Sequence, residues 1–208
     1  MDILTVTAIL LFIFSILCLS TGIYAFNRYS LTQSERLFAV GLAMVVTAVG
    51  IACGAIDNLH LLPALNLGWA WYTGTSIGFF LLFLSSMMKS ADQFMLLRRW
   101  GIIGAAVLIL VIVLTPVFPS YPNNSVPLVF NSLRTIICFL GFLRYIMLYT
   151  SKGTRFSLLM CFAFLFITVG YAILIPQFLN PSFASLTVVG AFIRIIGAGI
   201  LFASFVVG

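Results

Sequence analysis

Charge is what this sequence has least of. Ten Lys and Arg, four Asp and Glu and a single His are spread over 208 residues, so 7% of the chain is charged while 63% is hydrophobic. Soluble domains carry about a quarter of their residues as charge, so this balance excludes a soluble enzyme, a disordered tail and a nucleic-acid reader built on a broad basic face. Lysine is rarer still. Only Lys89 and Lys152 are present, both in polar breaks of the chain, which leaves none inside an apolar run to form a retinal Schiff base. The lone histidine, His60, has neither a second His nor a Cys on its turn, so it suits a loop or cap better than a metal or haem centre. Cys18, Cys53, Cys138 and Cys161 form no Cys-x-x-Cys and lie in apolar runs, where they read as small buried residues. Glu35 and Asp92 stand beside basic residues as surface pairs, and neither a Ser, His and acid set nor two carboxylates converge, so no catalysis, cofactor or metal is expected. The N-terminus lacks the basic start of a signal peptide and runs apolar from Ile3 to Phe26, long enough to be a retained first span.

What the chain does have is apolar length. Seven runs, at about 3–26, 37–56, 67–88, 100–118, 127–149, 156–176 and 184–207, are each near the ~20 residues that one bilayer crossing needs. Barrel strands are half as long and alternate in polarity, so these runs predict helices, the form that satisfies its own backbone in lipid. The expectation is an all-α integral membrane protein, a seven-helix bundle forming one transmembrane domain over 1–208.

The breaks between runs alternate in chemistry. The first, third and fifth hold Arg28, Arg36, Lys89, Arg98, Arg99, Arg144, Lys152 and Arg155, eight of the ten basic residues. The second, fourth and sixth hold no Lys or Arg and use Pro63, Pro119, Pro122, Pro127 and Pro181 as turn formers. By the positive-inside rule the odd breaks are cytoplasmic, which puts the N-terminus outside, the C-terminus inside and the chain in a cell (inner or plasma) membrane. Trp69, Trp71, Tyr72 and Tyr121 fall at the outer interface and Trp100 at the inner one. Gly50-x-x-x-Gly54, Gly74-x-x-x-Gly78 and Gly190, Gly197 and Gly199 suit close helix approach, within the chain first and between two copies second. No internal repeat of the kind that marks a two-half transporter is visible.

Two basic residues remain inside spans. Arg134 lies seven residues beyond Pro127 and Arg194 about ten residues into the last run, which at 1.5 Å per residue places both roughly 10–15 Å below the outer surface. A charge at that depth costs about 3 kcal/mol, so each should face the bundle interior and have a partner. Helical spacing agrees: Asn131, Arg134, Cys138 and Gly141 share one face, and Gly190, Arg194 and Gly197 another. Candidate partners in the same leaflet are Asp57, Asn58, His60, Tyr72, Tyr171, Gln177 and Asn180. One carboxylate cannot neutralise two guanidinium forks, which match carboxylate or phosphate, so an outward-facing site for a small anionic or lipid-like ligand is expected from Arg194, Arg134, Asn131 and Tyr72, with Asp57 as counter-ion. The alternative is a structural ion pair plus one snorkelling arginine.

The runs ERLFAVGLAMVVTAVGIACGAID, WAWYTGTSIGFFLLFLSSMMKS and GAFIRIIGAGILFASF, in a short-looped bundle of about 200 residues, resemble the N-terminal membrane-sensor regions of prokaryotic histidine kinases and related signalling proteins. The resemblance implies sensing by the bundle and output through a cytoplasmic module. The last run has no basic anchor, so a signalling module or a partner subunit is expected to follow residue 208. The functional expectation is therefore a non-catalytic receptor that signals through its last helix. The alternative is a small transporter or a membrane subunit of a larger complex.

Overall fold

Hydrocarbon offers the backbone no water, so an apolar chain closes its hydrogen bonds locally. The computed structural model describes residues 3–119 and 125–207, and among them there is no strand. Among the described residues there are seven long helices: α1 (Ile3–Thr32), α2 (Glu35–Asn58), α3 (Gly68–Met87), α4 (Ala91–Leu114), α5 (Ser125–Lys152), α6 (Arg155–Ala172) and α8 (Leu186–Val207), with a short helix α7 (Ile175–Leu179) and one 3-10 turn (Pro181–Phe183) before α8. Tyr121 and Pro122, expected in an outer loop, lie outside the described residues.

Six helices are long and apolar enough to cross a membrane: α1, α2, α4, α5, α8 and α6 taken together with α7. The expected count of seven thus falls one short on composition. The exception is α3, which has 20 residues but opens with the polar, aromatic run Trp69–Ser76. The reason is placement, since Tyr72, Thr75 and Ser76 are buried against other helices.

Several helices outrun their apolar stretches, because a helix can continue into the interface wherever its polar groups are served. Helix α4 starts nine residues before the expected 100, where Ser90 and Gln93 form a reciprocal capping box. Helix α1 runs past Phe26 to Thr32, with the Arg28 Nε donating to the Tyr24 hydroxyl at 3.0 Å. Gly153, at φ +60°, takes the left-handed position that ends α5 before α6 begins. Pro127 is no turn former; it occupies the first turn of α5, where its missing N–H costs nothing. Helix α6 stops at Ala172 because Pro176 cannot donate to the carbonyl four residues back, and the chain restarts as α7. His60, at φ +49°, turns the chain out of α2, as a loop role requires.

The helices pack as a closed ring in the order α1, α2, α3, α5, α6, α8 and back to α1. Helix α4 stands outside it against α2 and α3, and buries only Leu97, Gly101 and Leu108. The glycines make this ring tight. At the α2–α3 crossing a Cβ on Gly50 would meet the Thr75 amide at 2.9 Å, and one on Gly74 would meet the Gly50 Cα at the same distance. At the α6–α8 crossing Gly170 faces the Gly190 carbonyl. These motifs therefore serve intramolecular contact, whereas Gly199 has nothing near it. All four cysteines are buried and free.

Consecutive long helices alternate in direction. One end of the bundle gathers the Glu35–Arg98 ion pair at 3.1 Å, the Arg144 contact to the Ser86 carbonyl and the Phe156–Phe205 ring pair. The opposite end gathers Pro119, whose carbonyl accepts from Asn66 Nδ2 and Trp69 Nε1, and the segment from α6 to α8. The basic breaks therefore share one end and the breaks without Lys or Arg share the other.

Candidate functional site

Near that second end, α3, α5, α6 and α8 bring the two buried arginines to one aromatic ring. Arg134 and Arg194 are each 1% exposed, and their guanidinium carbons lie 4.7 and 4.8 Å from the centroid of Tyr171. They share a depth. A phenol ring face attracts cations, so Tyr171 moderates the repulsion between two like charges that would otherwise meet in a low-dielectric interior.

Their hydrogen bonding is unequal. Arg134 is held on all sides: Nε donates to the Phe130 carbonyl at 3.2 Å, Nη1 to Thr75 Oγ1 at 3.0 Å and Nη2 to Asn131 Oδ1 at 3.3 Å, with Tyr72 4.9 Å from the guanidinium. Asn131 in turn donates to the Tyr171 carbonyl at 2.8 Å, an acceptor in the last turn of α6, where the helix breaks before Pro176. Arg194 donates through Nε to the Gly190 carbonyl at 3.1 Å, and its stem is pressed against Gly170. Its Nη1 is buried without a geometric hydrogen-bond partner among the described residues, as are Trp71 Nε1 and the Tyr171 hydroxyl. Buried donors normally find acceptors, so three orphaned groups in one neighbourhood mark a place suited to a polar molecule.

Arg134, Arg194, Asn131 and Tyr72 all line one cavity of about 250 Å³. Ile3 and Leu4 of α1 and Ala184, which are exposed, form its mouth, and Trp71, Gln177 and Thr187 complete its polar wall. Gln177 and Thr187 are hydrogen-bonded to each other across the α7–α8 connection. Among the described residues no Asp or Glu lines this cavity.

Asp57 is the correction. Expected as counter-ion, it makes no ion pair with either arginine among the described residues and lines a separate cavity with His60, Asn66 and Thr115. Its carboxylate faces the backbone amides of Leu67 and Gly68 at the start of α3, where unpaired N–H groups and the helix dipole attract an anion. Among the described residues, then, no carboxylate lies between the two arginines.

Thr75, Tyr171 as a shared ring, and the α1 residues Thr7 and Phe14 are parts of the site that spacing along one helix did not reveal. Thr75 had a legible signal, because Trp71, Tyr72 and Thr75 share one helical face, but nothing in a linear reading pointed that face at α5. Comparison with protein-family models, curated proteins and solved structures found no match to this chain.

Proposed function

We propose that the chain is a non-catalytic seven-helix receptor or sensor domain that binds a small anionic or amphiphilic ligand between α3, α5, α6 and α8 and passes the signal through α8. The observation that carries this reading is Arg194, a buried guanidinium with an orphaned Nη1 in a cavity lined by a second arginine and, among the described residues, by no acid. A carboxylate or phosphate offers the acceptors the forks need and neutralises the charge that Asp57 leaves standing. In this reading α3 is the seventh crossing. It runs from the Arg134 end, where Thr75 accepts from α5, to the far end, where the Ser86 carbonyl accepts from Arg144. The N-terminus is outside and the C-terminus cytoplasmic, in a cell membrane, which agrees with the clustering of basic breaks at one end. Resemblance to kinase sensor regions supplies the output: a module beyond residue 208 that follows α8. Ligand binding shifts the bundle only by preferring one arrangement of α8 over another, and Arg194 sits on that helix against α6.

The test uses the purified full chain in detergent, titrated with dodecanoate and with dodecanol as the neutral control, while tryptophan emission is followed. Trp71 lines the cavity and stacks on Tyr72 at 4.8 Å, so it reports occupancy. Dodecanoate is expected to saturate the signal and dodecanol to leave it unchanged, with Arg194→Ala weakening the response about tenfold or more, the loss of one charge-assisted contact. An equal response to both probes, or an unchanged titration in Arg194→Ala, rejects the reading. Uptake of labelled dodecanoate into vesicles that Arg194→Ala abolishes would assign the cavity to a transport path instead.

A further inference from the structure

A second cavity, of about 400 Å³, lies at the opposite, basic end of the ring, within the range of roughly 300–1,000 Å³ typical of small-molecule sites. Five of the six ring helices contribute to it. Its floor and walls are apolar and aromatic, from Val40 on α2, Tyr145 on α5, Phe156 on α6 and Phe205 on α8. Its rim carries Arg28 and Arg36, both exposed, with Tyr24 and Ser34 beside them.

The charge balance at this rim is one-sided. The nearest acid in sequence, Glu35, is engaged by Arg98 at 3.1 Å, and among the described residues no Asp or Glu lines the cavity. Arg28 is braced by the Tyr24 hydroxyl through Nε, which leaves its remaining donors free to point at the cavity mouth. Arg36 lies beside the Tyr145 hydroxyl. Two guanidiniums over an apolar floor, at the interfacial depth of a bundle end, match a molecule with an anionic head and a hydrocarbon chain.

We propose that this cavity is a binding site for an anionic phospholipid of the leaflet at the basic end, its phosphate held by Arg28 and Arg36 and the start of an acyl chain resting on Val40, Phe156 and Phe205. The site is independent of the Arg134–Arg194 cavity at the other end. Because Phe205 belongs to the last turns of α8 and packs on Phe156 at 5.6 Å, the lipid touches the C-terminal turns of α8.

Native mass spectrometry of the full chain from mixed micelles reads retained lipid directly, with phosphatidylglycerol, phosphatidylcholine and inorganic phosphate as probes. One phosphatidylglycerol per chain is expected, at least tenfold preferred over phosphatidylcholine and not displaced by millimolar inorganic phosphate. Arg28→Ala with Arg36→Ala is expected to weaken retention about thirtyfold, roughly fivefold per arginine. Arg99→Ala with Lys152→Ala removes the same charge from exposed positions that do not line the cavity and is expected to leave retention unchanged. Val40→Phe, which places a ring in the cavity and leaves both arginines in the sequence, is expected to weaken retention as well, and keeps the proposal testable if the double arginine variant fails to fold. Equal loss in both double variants, or full retention in Val40→Phe, overturns the site; displacement by inorganic phosphate overturns the lipid as its occupant.

Discussion

Arg134 and Arg194 are the same residue type at the same depth with opposite energetic roles. Arg134 is satisfied by α3 and α5, so its neighbours depend on one another. Asn131→Ala removes both the acceptor of Arg134 Nη2 and the donor to the Tyr171 carbonyl, and is expected to lower unfolding free energy in mixed micelles by about 1–3 kcal/mol. Arg194 has an orphaned donor and a like charge nearby, so removing it relieves more than it breaks. Arg194→Met is expected to leave stability unchanged or raise it by up to ~2 kcal/mol in the same assay, while abolishing the dodecanoate response. A clear loss of stability in Arg194→Met would show that the residue is structural. The arginines and Asn131 were legible as residues, because charge inside an apolar run stands out in one dimension. That Arg134 would be satisfied and Arg194 not was invisible, since it turns on Thr75, which lies 59 positions from Arg134 along the chain.

At the scale of elements, close crossings position the site. Gly170 and Gly190 let α6 and α8 approach until the Arg194 stem lies against the α6 backbone, so a methyl group at either position would meet that stem or a carbonyl oxygen. Gly170→Ala and Gly190→Ala are each expected to cost about 2 kcal/mol in unfolding and to weaken the dodecanoate response. Gly199→Ala, on the same helix with open space around it, is expected to stay within ~0.5 kcal/mol of the parent. Equal effects at 190 and 199 would remove the crossing as their cause. The helix ends were only partly legible. Apolar length located each span, but the capping box at Ser90 and the Pro176 break moved two boundaries, because a helix ends where its hydrogen bonding fails and not where its hydropathy does.

At the scale of the molecule, the ring is closed by α8 on α1 and leaves most of the surface of α4 uncovered by other helices. The topology proposed for it has a direct measurement. The native cysteines are buried, so single exposed cysteines report side without background. An impermeant thiol reagent is expected to label Ala64→Cys in intact cells and Lys152→Cys only after permeabilisation. The reverse pattern would invert the bundle, and labelling of both from outside would remove one crossing, with α3 the helix concerned.

Composition and spacing alone determined that the chain is helical and suited to a membrane, where its basic breaks fall, and which two arginines lie inside its spans. Each follows from a rule that acts along the chain: lipid forbids unpaired backbone, and charge is too costly at depth to be placed without use. Only the tertiary structure decided that α4 stands outside the ring, that Tyr171 serves both arginines and that Asp57 turns to the start of α3 instead of joining them. Partner choice between helices depends on side-chain direction and on how closely backbones approach, and neither quantity has a period that a sequence displays.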